Sequence, residues 1–301
     1  MKKILVVAAG LVLAACGTAQ QTLPVANEGV AHQGNQLAKV TPDASGLVYE
    51  HSTDGGRTWQ RSTLHLDLPT RQAVVALSPD GARAGVMATL PGSASTGGLP
   101  ALFTGPAAGP LAARQAPVAG DVAWVGSRLV LVGGPQRSLV YSSPDGGVTW
   151  QKLDGGGRFN VPATAPSHGA PLTTADGVTV PVTAHGRPST VRLDTSKDGV
   201  TFTKGVVVTL SGDAAPGVAV PVAVTGPDAY VVVDPSGVLH VVHATTQETI
   251  TPSGLPGPIE SLTFTDAQHG TAQVAHACTS KDGCDHTVTP MVTDDGGHTW
   301  R

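Results

Sequence analysis

From about residue 29 onward the chain alternates short apolar runs, rich in Val, Leu and Ala, with clusters of Gly, Pro, Asp and Ser. Ala73 to Leu77, Ala84 to Thr89, Val122 to Val125 and Arg128 to Val132 are of strand length, as are Val178 to Thr183 and Val218 to Val224. Tyr230 to Val233, Val238 to Val242 and Leu262 to Phe264 continue the series. Ser78, Pro79, Asp80, Gly81 and Asp234, Pro235, Ser236, Gly237 supply turn chemistry between neighbours. No stretch sustains a helical period, and 38 Gly with 24 Pro in 301 residues oppose helix interiors. The pattern predicts an all-β protein.

The first residues follow another rule. Lys2 and Lys3 precede an apolar run from Ile4 to Ala15, shorter than the roughly 20 residues a membrane-spanning helix needs. This reads as a secretory signal over residues 1–15. Its end, Leu13, Ala14, Ala15, Cys16, resembles the lipobox of bacterial lipoproteins, which implies cleavage before Cys16 and lipidation of its thiol. Acyl chains contribute roughly 0.8 kcal/mol per buried CH2, so the implied partner of the N-terminus is a membrane. The following residue, Gly17, is not the Asp associated with inner-membrane retention, so the resemblance implies a bacterial envelope location, periplasmic or outer-surface. Residues 16–28, small and polar at first, suit a tether with a possible closing strand; 29–301 form the folded domain.

Within that domain an eight-residue pattern recurs. Ser52, Thr53, Asp54, Gly55, Gly56, Arg57, Thr58, Trp59 reappears as Ser143, Pro144, Asp145, Gly146, Gly147, Val148, Thr149, Trp150, and as Thr293, Asp294, Asp295, Gly296, Gly297, His298, Thr299, Trp300. A shorter copy has Ser196, Asp198, Thr201 and Phe202. An Asp can accept hydrogen bonds from backbone N–H groups just ahead, Gly takes up positive φ, and Trp buries a ring against its sheet. The pattern resembles the Asp-box, or BNR, repeat of sialidase-like and sortilin-like propellers. The resemblance implies structural turns between the third and fourth strands of propeller blades, away from the usual ligand face.

The four Asp stand 91, 53 and 97 positions apart, and the 241 between first and last divide into five steps of about 48, one four-stranded blade each. The expectation is a single six-bladed β-propeller, with five and seven as neighbouring counts. Two blades without a box are expected to turn near 95–101 and 243–247. Because Trp300 is followed only by Arg301, the last blade lacks most of a fourth strand, and Leu23 to Ala26 is the expected substitute.

Chemistry beyond the turns is sparse. His276, Cys278, Cys284 and His286 flank a candidate hairpin turn, which fits a Cys278–Cys284 disulfide in an oxidising compartment or a Cys2His2 zinc site. The disulfide is the preferred reading. His240 and His243, three apart on a strand, point to opposite faces. Sialidases need an arginine triad and a Tyr nucleophile assisted by Glu; here the only Arg followed by Pro is Arg187, and Tyr49 and Glu50 are adjacent and point apart. No catalytic set, cofactor motif or metal site is assigned. Net charge of -4, with 18 basic against 22 acidic residues and no basic cluster after Lys3, excludes a nucleic-acid-binding surface. These readings converge on a lipid-anchored, non-catalytic binding or scaffold propeller for a protein, peptide or glycan. The alternative is a divergent, sialidase-like glycoside hydrolase.

Overall fold

A computed structural model describes residues 29–43, 46–68, 70, 72–91, 98–134, 137–153, 167–214, 220–243, 246–275 and 288–301. These form six antiparallel sheets, the blades of a six-bladed β-propeller. Blades 1 to 6 occupy 29–65, 72–114, 120–152, 167–209, 222–250 and 259–301, and within each the strands pair in chain order. First strands of successive blades lie against one another and surround the axis. In blade 4 two segments, Ser167–His168 and Leu172–Thr174, share the first-strand position, both pairing with Gly177–Ala184. Blade 6 has three full strands; Arg301 starts a fourth by exchanging backbone hydrogen bonds with Val292.

Alternation along each strand sends one set of side chains to each neighbouring blade, so the core is divided into seams. Tyr49, Val40 and Val86 fill the seam of blades 1 and 2, and Trp124, Leu129 and Leu102 that of blades 2 and 3. Val130, Val132 and Val180 lie between blades 3 and 4, Val191, Leu193 and Val232 between 4 and 5, and Leu239, Phe264 and Trp300 between 5 and 6. Most of these side chains are almost completely buried. Polar ties cross the seams as well: the Tyr49 hydroxyl donates to the Ala107 carbonyl at 2.9 Å, and the Tyr230 and Thr179 hydroxyls are 2.9 Å apart. Burial pushes both tyrosine hydroxyls up in pKa. Tyr49 and Glu50 point apart as expected, Glu50 pairing with Lys39 at 2.9 Å.

The sequence repeats lie where third strands turn into fourth strands, in blades 1, 3, 4 and 6. Blade 5 passes from third to fourth strand between His243 and Thr246, which pair across the connection, within the range expected. Blade 2 differs: its third strand, Leu99–Pro106, joins the fourth through 107–111, and the expected turn at 95–101 instead spans the entry into that third strand. The Ser95-to-Gly98 cluster carries turn chemistry, but it precedes rather than follows the strand. Gly29–Gln33 is the first strand of blade 1. Residues 23–26, Cys16, and the segment with Cys278 and Cys284 lie outside the described residues.

Candidate functional site

The alternating strands give the propeller two unlike faces. One carries the first-to-second and third-to-fourth connections; they touch where the Gly55 N–H donates to the Asn35 carbonyl and the Gly296 N–H to that of Gln268. It is the repeat-turn face. The other carries the second-to-third connections and the crossovers between blades. Binding residues concentrate on such loops when a rigid scaffold holds them.

On the repeat-turn face the three full-length copies share one hydrogen-bond pattern. The Ser52 hydroxyl donates to Asp54 Oδ1 at 2.8 Å and accepts the Gly56 N–H at 2.8 Å. Asp54 then accepts the Thr58 N–H and hydroxyl at 2.9 and 2.7 Å. Ser143, Gly147, Asp145 and Thr149 repeat this in blade 3, and Thr293, Gly297, Asp295 and Thr299 in blade 6. In the shorter copy Asp198 accepts the Thr201 and Val200 N–H groups and the Ser196 hydroxyl. Gly56, Gly147 and Gly297 all have φ between 87 and 99°, where a side chain is strained. The bonds led by the Thr58, Thr149 and Thr201 N–H groups hold Asp54, Asp145 and Asp198 at about pKa 2, and Asp295 is lowered in the same way. With their acceptor capacity turned inward to the turn, these carboxylates organise backbone. The Trp59 and Trp300 indoles donate to the carbonyls of Gly56 and Gly297, whereas Trp150 reaches Gln115 of the preceding crossover.

The crossover face holds a different group at the inner end of the seam between blades 3 and 4. Arg137 enters from the second-to-third connection of blade 3 with φ of 53°, unusual for a residue with a side chain. Its Nε donates to the His168 carbonyl at 2.7 Å and its Nη2 pairs with Asp121. The His168 Nδ1 returns a hydrogen bond to the Arg137 carbonyl at 2.7 Å, which fixes its tautomer. Burial lowers the pKa of His168, so the ring is neutral at pH 7. Cross-strand pairing of His168 with Val182, and of Val182 with Arg192, puts all three on the face toward blade 3. Arg192 clamps the buried Asp194 through Nε and Nη2, at 2.5 and 2.7 Å, and is itself partly exposed.

Two guanidinium groups are therefore held on rigid partners, each with donors uncommitted among the described residues. Such a site can take a carboxylate or another planar acceptor. Beside it, the Ser167 hydroxyl and His185 Nε2 are 3.1 Å apart, with His185 Nδ1 3.3 Å from the Ala214 carbonyl. Ser167 is buried, and the contact ties strand to loop. His240 is buried 3.3 Å from Asp234 while His243 is exposed, as their spacing implied. Among the described residues no group of three or more His, Cys, Asp or Glu is placed to hold a metal ion.

None of Asp121, Arg137, His168 or Arg192 stood out in the sequence. The one signal that could have found part of it is the spacing of Arg192 and Asp194, two apart on a strand and hence on one face.

The fold and these faces define a six-bladed β-propeller. No protein-family model and no curated protein sequence matches the chain. Among solved structures it is similar to YCF48 from Cyanidioschyzon merolae, at 15% identity and TM-score 0.56 over 93% of this chain and 86% of that one. It is also similar to YCF48 bound to D1 peptide, at 15% identity and TM-score 0.52 over 93% and 83%. An α-L-arabinofuranosidase from Fusarium graminearum in complex with an iminosugar inhibitor matches at 14% identity and TM-score 0.56 over 89% and 92%. At these identities the likeness is one of fold, and its hosts are both binding proteins and glycosidases.

Proposed function

We propose that this protein is a lipid-anchored, Asp-box propeller of the bacterial envelope that binds peptide segments on its crossover face. The observation that carries the reading is Arg137. Its guanidinium is fixed by Asp121 and the His168 carbonyl at the loop-rich end of a seam, and a strained backbone persists there because its surroundings hold it. A pre-positioned, partly exposed guanidinium suits a carboxylate on an extended chain. The YCF48 structure with bound D1 peptide shows that a propeller of this plan can receive a peptide. Lipidation of Cys16 would hold the domain at a membrane, and the four repeat turns support blades. Tyr49 and Tyr230, whose hydroxyls are engaged within seams, are unsuited to act as sialidase nucleophiles.

The test is Arg137→Gly, which deletes the guanidinium while relieving the positive φ. The strain released, of order 1 kcal/mol, offsets much of the lost ion pair, so the fold should survive. A fluorescent peptide library bearing free carboxylates should yield binders to the native protein, and Arg137→Gly should weaken them tenfold or more. Binders unaffected by Arg137→Gly, or binding confined to neutral glycans, would refute this reading.

A further inference from the structure

Charge is sorted across the repeat-turn face, every connection of which except 244–245 belongs to the described residues. Blades 1 to 3 carry Arg57 and Arg61 at and just beyond the first repeat turn, Arg83 and Arg128 at the starts of second strands, and Arg114 on an outer strand. Arg83 and Arg114 reach the repeat turn of blade 3: Arg83 Nη1 lies 3.9 Å from where a Cβ at Gly146 would stand, and Arg114 Cγ 3.6 Å from one at Gly147. Among the described residues none of these five guanidinium groups forms an ion pair, whereas Arg137, Arg187, Arg192 and Arg301 each hold a carboxylate. The acids of this half are committed to their own turns: Asp54 and Asp145 to the repeats, and Asp80 to the Ser78 hydroxyl at 2.5 Å and the Ala82 N–H at 3.0 Å. Blades 4 to 6 reverse the sign. Asp176, Asp228, Asp266 and Asp294 are exposed on their turns, and Asp198 and Asp295 of the repeats add to them. Lys197, Lys204 and Arg301 offset this only in part, and Arg301 is already paired with Asp294 at 2.9 Å. Between the halves, Val148 in the repeat turn of blade 3 is 57% exposed, more than any other large apolar side chain among the described residues, and Val200 holds the corresponding place in blade 4.

We propose that this face is the interface of a homodimer, in which two copies stack repeat-turn face on repeat-turn face about a two-fold axis running from the seam of blades 6 and 1 to the seam of blades 3 and 4. The occupant is specified by charge. A partner for this face must be acidic over blades 1 to 3 and basic over blades 4 to 6, and the same face on a second copy has that arrangement once it is turned over. Symmetry then fixes the pairing: blade 1 lies on blade 6 of the second copy, blade 2 on blade 5 and blade 3 on blade 4, and every contact occurs twice. Arg57 and Arg61 face Asp266 and Asp294 of the second copy, Arg83 and Arg114 face its Asp228, and Arg128 faces its Asp176.

The position of the axis is as constrained as the choice of face. An axis turned by one blade would lay blade 2 on blade 3 and blade 5 on blade 6, setting arginines against arginines and aspartates against aspartates, which charge complementarity forbids. The axis between blades 3 and 4 also brings Val148 of each copy to Val200 of the other, an apolar centre inside a charged rim. Each arginine enters this contact without giving up an existing ion pair, and the dimer leaves both crossover faces, with their Arg137 groups, on its two outer sides.

Sedimentation velocity of the full chain in a mild non-ionic detergent tests the dimer. The native protein should sediment as a dimer in about 0.1 M salt, and its dissociation constant should rise about tenfold or more in about 1 M salt, where the screening length falls from about 10 Å to about 3 Å. Two double variants carry the decisive comparison. Arg83→Glu with Arg128→Glu makes the whole face acidic, and Asp176→Lys with Asp228→Lys makes it basic. Each alone should be monomeric, and an equimolar mixture should restore the dimer, which also shows that both variants fold. A native protein that stays monomeric up to about 100 μM in the lower salt overturns the proposal. So does a dimer that persists in either double variant alone, or a mixture of the two that remains monomeric.

Discussion

Asp234 should be among the most sensitive single positions in blade 5. It opens the Asp234-Pro235-Ser236-Gly237 turn and is almost fully buried. Its carboxylate accepts the Ser236 and Val238 N–H groups at 2.8 and 3.0 Å and the Ser236 hydroxyl at 2.5 Å. It also accepts the Ser211 N–H at 3.1 Å from the crossover that enters blade 5, and lies 3.3 Å from His240 Nε2. Gln247 Nε2 closes the chain by donating to His240 Nδ1 at 3.0 Å, which leaves His240 Nε2 to donate to Asp234. Burial alone would raise the Asp234 pKa, but the hydrogen bonds from Ser236, Ser211 and Val238 prevail and hold it at about 2. In Asp234→Ala the two turn amides regain water, at about 0.5–1 kcal/mol each, while the Ser211 N–H and the buried His240 lose acceptors, at about 1–2 kcal/mol each. The sum is roughly 4 kcal/mol, equivalent to a fall in Tm of about 8 °C for a chain of this size. Gln247→Ala removes only the outer link and should cost about 1 kcal/mol. Guanidinium titration followed by circular dichroism would read the midpoint shift at unchanged slope. A loss below about 1 kcal/mol for Asp234→Ala, or equal losses for the two variants, would refute the network.

Acid should attack the turns before the cores. Asp54, Asp145, Asp198 and Asp234 have folded pKa values of about 2 against 3.8 for the free side chain, so the stability they confer is present above about pH 4 and disappears as pH falls through 2; a flat melting temperature between pH 5 and 2 would contradict this. Cys16→Ser should move the protein from the membrane fraction to the soluble fraction, and unchanged partitioning without acyl mass on the native N-terminal peptide would end the lipoprotein reading. Peptide mapping without reductant should find Cys278 linked to Cys284, a short loop contributing about 2 kcal/mol, whereas two free thiols with stoichiometric zinc would favour the metal alternative.

How much of this was legible in the sequence depended on whether the chemistry is local. A repeat turn completes its hydrogen bonds within eight residues, as Ser52 to Trp59 does, so its parts must stand at fixed spacing and the blade count follows from the positions of Asp54, Asp145, Asp198 and Asp295. Where a blade turns without that device, spacing alone misleads. In blade 2 the Ser- and Gly-rich stretch and the true turn at 107–111 lie at opposite ends of the same strand, Leu99–Pro106, and only pairing with Arg83–Leu90 distinguishes them. The Arg137 site is the extreme case. Arg137 meets His168 across 31 residues and Asp121 across 16, and Arg192 shares their face only through the register of the strand between. Each residue alone resembles an ordinary polar position at a strand end. A propeller built from local turns and non-local seams thus advertises its architecture in short motifs, while the arrangement of its crossover face depends on pairs no motif records. Substitutions in the repeats should accordingly perturb stability first, and substitutions at Arg137 should perturb recognition first.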